Sequence, residues 1–175
     1  IGGAYKYLRG GPGAAWLYVH PQHLDGTLRT LDTGWFATSQ PLAFKRPECP
    51  SFALGAEGWL ESTPAVLPFY QARAGLEFTL AMGVERLRTY SLTQQANLAG
   101  QLAEQGIAIL GAGLSRGAFI AISTPRAEAA TARLAEEGVV ADAREGLLRL
   151  CPDILNSSQE LSAAAGRVAH VLRNV

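Results

Sequence analysis

One lysine stands between two tyrosines in Tyr5-Lys6-Tyr7, and a turn-forming run, Leu8-Arg9-Gly10-Gly11-Pro12-Gly13, follows it. A lysine in a fixed place can form a Schiff base once its surroundings favour loss of the ammonium proton, and a cofactor phosphate beside it needs hydrogen-bond donors. Alternation from Ala4 to Leu8 predicts a short strand, with Lys6 on one face and both tyrosines on the other. The glycine turn has little side-chain bulk, so its backbone N–H groups are expected to approach an anion. The plainer reading also fits: strand lysines are commonly solvated, and Gly-Pro runs commonly make tight turns.

Three other groups have the chemistry for a site. Trp35 and Phe36 are large aromatics inside a proline-punctuated connection from residue 24 to 50, where exposure is costly, so they should anchor on something. Thr63-Pro64 has the form of a helix cap followed by a first-turn proline. Arg149 interrupts the apolar run Leu147-Leu148-Arg149-Leu150-Cys151, either as an edge-strand arginine reaching water or as a guanidinium that grips a carboxylate. His20 and His23 lie three residues apart without a third ligand in sight, so no metal site is expected. Cys49 and Cys151 form no motif, and free buried thiols are the default expectation.

Composition narrows the function classes. Lysine plus arginine balance aspartate plus glutamate at 15 each, so no basic field suggests nucleic acid. Hydrophobic residues at 48% suit a folded chain rather than a disordered one. No apolar run approaches the roughly 20 residues that span a bilayer, and Ile1-Gly2-Gly3 does not open a signal peptide, so a cytoplasmic protein is expected. The absence of an initial methionine suggests a piece of a longer chain.

The elements that must position these groups follow in order. Ala14 to Val19 is expected as a second, buried strand ended by His20-Pro21. Ala65 to Met82, apolar on most faces, is expected as a buried helix at a domain or subunit interface, broken at Gly83. A more amphipathic helix runs on to Gly106. Strands are predicted over residues 107–110, 118–122, 139–143 and 146–150, with a polar turn at Arg144-Glu145 and a helix from Arg126 to Glu137. A capping box at Ser157 to Glu160 opens a last helix whose stripe is Leu161, Ala165, Val168 and Leu172. The pattern predicts a small α+β unit with helices on one face of its sheet.

The run Ala4 to Gly13 closely resembles the lysine segment of kynureninases and, more broadly, of class V aminotransferases, fold-type-I pyridoxal-phosphate enzymes. Gly34-Trp35-Phe36, Ser62-Thr63-Pro64 and the segment from Arg149 to Ser157 resemble further family motifs in the family's order. The resemblance implies an α/β fold: the end of a large-domain sheet over residues 1–82, then a small α+β domain over 83–175. It implies that the parent enzyme binds a small amino acid as an external aldimine on pyridoxal 5'-phosphate. Lys6 would carry the cofactor and shuttle the α-proton, Tyr5 would support its phosphate, and Arg149 would hold the substrate carboxylate. Trp35 and Thr63 would serve the phosphate of the neighbouring subunit in a homodimer with shared active sites. The family's ring stacker, pyridine-nitrogen aspartate and main phosphate loop precede the lysine, so this chain alone should bind cofactor poorly and turn nothing over. Arg9 stands where kynureninases usually have asparagine, Ala37-Thr38 where they have glycine and histidine, and Thr63 is nearer the wider family than the asparagine of animal-type kynureninases. These departures leave the substrate and reaction type open. Two alternatives remain at this point: a non-catalytic or truncated relative serving as an interaction domain, and a plain α+β module that holds an anion at the Lys6 turn.

Overall fold

A computed structural model describes residues 1–45, 47–111 and 116–175. The chain divides into two compact units, Ile1–Ala81 and Met82–Val175. It mixes small sheets with four α-helices among the described residues.

The first unit is poor in regular structure until its final helix. Strands β1 (Gly2–Gly3) and β2 (Ala15–Trp16) pair antiparallel, and the Ala4 N–H extends the pairing to the Ala14 carbonyl at 2.9 Å. Ala4 and Ala14 are buried there, but Trp16, Leu17 and Tyr18 are exposed, so the expected buried strand over 14–19 is a two-residue surface pair. Short 3₁₀ turns follow, including Trp35–Ala37 and Gly55–Trp59. Helix α1 (Val66–Met82) closes the unit. It starts two residues beyond Pro64, not at it. Its apolar residues are not buried as expected: Leu67, Phe69, Tyr70, Leu76, Phe78 and Leu80 are all exposed, and Gly75 and Thr79 are its buried positions. Periodicity reports that a surface wants to leave water, but not whether the chain itself supplies the cover.

The second unit is a two-layer α/β sandwich. Helix α2 (Val84–Glu104) leads to β3 (Ile120–Ser123), α3 (Ala127–Glu136), β4 (Asp142–Arg144), β5 (Leu147–Leu150) and α4 (Ser158–Asn174). The sheet order is β3-β5-β4, antiparallel throughout, with β5 in the centre. Side chains alternate across the pleat. Ile120, Ile122, Leu148 and Leu150 therefore enter the core with Leu98, Leu102, Leu134, Ala165, Val168 and Val171 from the helices. Ala121, Ser123, Asp142, Arg144, Leu147 and Arg149 share the opposite face.

Boundaries differ from expectation in several places, the strand expected over 118–122 being Ile120–Ser123. Residues 107–110 give one bridge, Leu110 to Ala121, not a strand. The strand expected over 139–143 is Asp142–Arg144, because the tight turn falls on Glu145-Gly146, whose φ values are 50° and 74°. Two left-handed residues make the primed turn that matches strand twist. Helix α3 begins at Ala127, while the Thr124 hydroxyl accepts from the Arg126 N–H at 3.3 Å. The capping box of α4 forms as predicted: the Glu160 N–H donates to Ser157 Oγ at 3.2 Å, and the Ser157 N–H to Glu160 Oε2 at 2.7 Å. Among the described residues, no helix is long and apolar enough to cross a membrane.

Candidate functional site

Lys6 lies in a turn, not a strand. The Arg9 N–H donates to the Lys6 carbonyl at 2.9 Å and the Gly10 N–H to the Ala4 carbonyl at 2.8 Å, folding the segment back on itself. Five alternating residues imitate a strand in sequence, but these bonds take the backbone groups that a strand partner would need. Lys6 is exposed, and its Nζ sits 5.4 Å from the centroid of the Tyr5 ring. Tyr5 and Tyr7 are exposed on the same turn.

Close contact with α1 fixes this turn in place. A Cβ built on Gly75 would lie 2.3 Å from the Leu8 carbonyl oxygen and 2.5 Å from the Arg9 carbonyl, so the turn backbone rests directly on the helix. A Cβ on Gly10 would meet the Ala72 backbone at 2.8 Å. The small side of the glycine run thus faces α1, and the Gly10 N–H is used within the turn. The lack of bulk in this run serves helix packing. Arg9 itself has a φ of 54°, a left-handed conformation where asparagine is more at home than arginine. The departure from the family segment at this position falls where backbone geometry selects the residue. Arg9 is held by a bond from Nη1 to the Tyr7 carbonyl at 2.9 Å and by the Phe78 ring, 5.8 Å from its guanidinium carbon.

Trp35 and Thr63, 28 positions apart in the chain, belong to segments that the fold brings together. The Phe36 N–H donates to the Glu61 carbonyl at 3.2 Å. A Cβ on Gly34 would fall 1.7 Å from that same carbonyl oxygen, so the Gly-Trp-Phe turn closes on the Glu61 backbone only with glycine at its head. Trp35 packs edge-on against Phe36 at 4.4 Å between centroids and remains 40% exposed, so one part of the indole is available to another molecule. Thr63 is exposed in the bend before α1. No hydrogen bond or ring contact among the described residues joins Lys6 to Trp35 or Thr63.

Arg149 belongs to the second unit, on the central strand rather than an edge. Its Nε donates to Asp142 Oδ1 at 2.6 Å and its Nη2 to Asp142 Oδ2, a two-pronged grip. The Phe119 ring lies 5.1 Å from the guanidinium carbon. The loop after Arg149 is built from within: Gln94, buried on α2, donates from Nε2 to the carbonyls of Asp153 and Asn156 at 3.0 Å each. Asn156 does not cap α4; its side chain accepts from the Asp153 N–H at 3.0 Å, and Ser157 is the cap. Cys151 and Cys49 are exposed, contrary to the expectation of buried thiols. The Cys151 Sγ contacts the Ala118 carbonyl at 3.2 Å, and desolvation, then the nearby Asp153 charge, push the thiol pKa up, against the lowering effect of Arg149. No group of three metal-ligating side chains occurs among the described residues.

Sequence reasoning missed Asp142, Phe119 and Gln94. A signal for Asp142 was present, since a two-residue turn at Glu145-Gly146 pairs position 142 with 149 directly across the hairpin.

Comparison with known proteins adds relatives. No family model matches the chain. An uncharacterized aminotransferase of Bacillus subtilis is 30% identical over 169 residues, 95% of this chain and 44% of the relative. A kynureninase of Deinococcus radiodurans is 36% identical over 162 residues, 89% of this chain and 37% of the relative. A kynureninase of Geobacillus thermodenitrificans is 33% identical over 165 residues, again 89% of this chain and 38% of the relative. The chain thus spans less than half the length of these relatives. Along most of its length the chain is similar to kynureninases and to an uncharacterized aminotransferase alike.

Proposed function

We propose that the protein containing this chain is a pyridoxal-phosphate-dependent enzyme acting on a small amino acid, as a cytoplasmic homodimer with shared active sites. The observation that carries the reading is similarity to kynureninases and an aminotransferase over 89–95% of the chain. The two units then correspond to part of a large cofactor-binding domain and to a small α+β domain. The residues fit the cofactor in type: Lys6 is an exposed primary amine on a turn held at backbone level against α1.

Pyridoxal phosphate, when bound, supplies an electron sink for a carbanion at the α-carbon. Lys6 is the residue to hold it and then to move the α-proton as general base and acid. Tyr5 supports the phosphate beside Lys6. Trp35 and Thr63, both exposed, serve the phosphate of the partner subunit. Arg149 fixes the substrate's carboxylate, and so orients the bond to be broken at the α-carbon. Transamination, elimination and cleavage at Cβ use a lysine and an arginine in these roles, and groups outside this chain select among them.

The test is Lys6→Ala in the full-length protein. Loss of a proton-shuttling residue should lower turnover by about 10²–10⁴-fold or more. It should also abolish the change in the visible absorbance of pyridoxal phosphate, relative to the free cofactor, that the wild type produces. An unchanged spectrum and activity would reject the assignment. The 175-residue chain alone is expected to bind the cofactor weakly and to be inactive.

A further inference from the structure

The second unit contains a cavity of about 490 Å³ beside its core. Packed interiors leave few gaps larger than a water molecule, and pockets for small molecules run to roughly 300–1,000 Å³. The floor of the cavity is core: Leu98 of α2, Leu150 of β5 and Leu161 of α4 line it at 2%, 5% and 7% exposure. Val140, Cys151 and Arg167 are its exposed lining. The sequence explains the void. Helix α4 turns Ala163 and Ala164 to it, and Gly138 stands at its edge, so short residues leave the leucines uncovered.

Arg167 and Glu160 are the charged side chains that line the cavity. They stand two turns apart on α4, about 10 Å along the axis, so they mark opposite ends. Glu160 is engaged: its Oε2 accepts from the Ser157 N–H at 2.7 Å and from Ser157 Oγ at 3.1 Å. Glu137, next to Gly138 in the chain, pairs with Arg133 at 3.7 Å. Arg167 rests near Gly138, where a Cβ would lie 3.7 Å from its Nη1, and no hydrogen bond or ion pair among the described residues engages its guanidinium. A guanidinium with its donors unspent, at the edge of an apolar hollow, suits a ligand that is anionic at one end and apolar at the other. We propose that this cavity binds a small organic carboxylate, with its apolar body on Leu98, Leu150 and Leu161 and its carboxylate on Arg167. The site lies wholly within the second unit, and it does not rest on the roles given to Lys6 and Arg149.

Cys151 lines the cavity and reports its occupancy. The full-length protein is alkylated with iodoacetamide at constant ionic strength over a range of hexanoate concentrations, and peptide mass spectrometry gives the rates at Cys151 and at Cys49. Hexan-1-ol keeps the apolar body and lacks the charge. Hexanoate should protect Cys151 saturably, leave Cys49 unchanged and act at a concentration about tenfold lower than hexan-1-ol, the order expected for a charge-assisted bond. Arg167→Gln should raise the half-protecting concentration of hexanoate by about tenfold and leave that of hexan-1-ol within about twofold. Ala164→Leu, which fills the hollow from α4, should weaken both probes, and Ala163→Leu makes the same test should that variant fold poorly. Protection that is absent or does not saturate, equal potency of the two probes, an Arg167→Gln effect on both or on neither, or full protection in the filled variants would overturn the proposal.

Discussion

Gly75→Ala tests the contact that presents Lys6. In a helix interior, alanine is favoured over glycine by about 0.8–1.0 kcal/mol. Gly100 on α2 is the internal control, since a Cβ there meets nothing within 4 Å, and Gly100→Ala should keep the whole gain. At Gly75 the same Cβ would land 2.3 Å from the Leu8 carbonyl oxygen and 2.5 Å from the Arg9 carbonyl. Ordinary carbon contacts lie near 3.5–4.0 Å, so backbone must move by more than about 1 Å on one side. Overpacking of this kind costs about 1–3 kcal/mol, which makes Gly75→Ala neutral to about 2 kcal/mol destabilising after the helix gain. The two variants therefore differ by about 1–3 kcal/mol although their chemistry is the same. Urea unfolding followed by circular dichroism gives the stabilities, and amide chemical shifts of residues 6–10 report the turn. Gly75→Ala as stabilising as Gly100→Ala, with those shifts unmoved, would refute the argument that α1 fixes the lysine turn.

Other outcomes follow from the same geometry. Gly34→Ala should break the closure of the Trp35 turn on Glu61, whose carbonyl oxygen lies 1.7 Å from the new Cβ; a red-shifted tryptophan emission and faster proteolysis within residues 34–63 would show it, and wild-type behaviour would contradict it. Ser157→Ala removes the acceptor of the α4 capping box and should destabilise the second unit by about 0.5–2 kcal/mol, measured by denaturant unfolding. Cys151 should stay protonated at neutral pH, because desolvation and then Asp153 raise its pKa. Its alkylation by iodoacetamide should therefore rise only above the ordinary thiol range, and Asp153→Asn should move that rise to lower pH; a profile starting below the ordinary range would reverse the sign. A thiol with a raised folded pKa adds stability below its unfolded pKa and loses it as pH rises through the folded one, so the same window should show a small alkaline destabilisation.

Local signals carried much of the second unit. The Ser157–Glu160 box, the left-handed glycines at 83, 106 and 138 that end helices, and the period-2 burial of Leu148 and Leu150 are each decided by neighbours within a few residues. The first unit was less legible because its order depends on distant backbone. The glycines after Lys6 read as a low-bulk turn, and what they accommodate is α1, some 60 positions on. The apolarity of α1 was plain in sequence, but its exposed Leu67, Phe69 and Phe78 show that apolar character and burial within one chain are separate facts. Arg149 could be singled out as an odd residue in an apolar strand. Its partner required the hairpin register, and that depended on placing the turn at Glu145-Gly146 rather than one residue earlier.

The central claim is that Lys6 is the cofactor lysine. Borohydride reduction of the full-length protein after incubation with pyridoxal phosphate, followed by peptide mass spectrometry, tests it most directly. The account predicts the reduced pyridoxyl phosphate mass on the peptide carrying Tyr5-Lys6-Tyr7, and none on that peptide in Lys6→Arg. An unmodified Lys6, with the label absent or on another lysine, would contradict it.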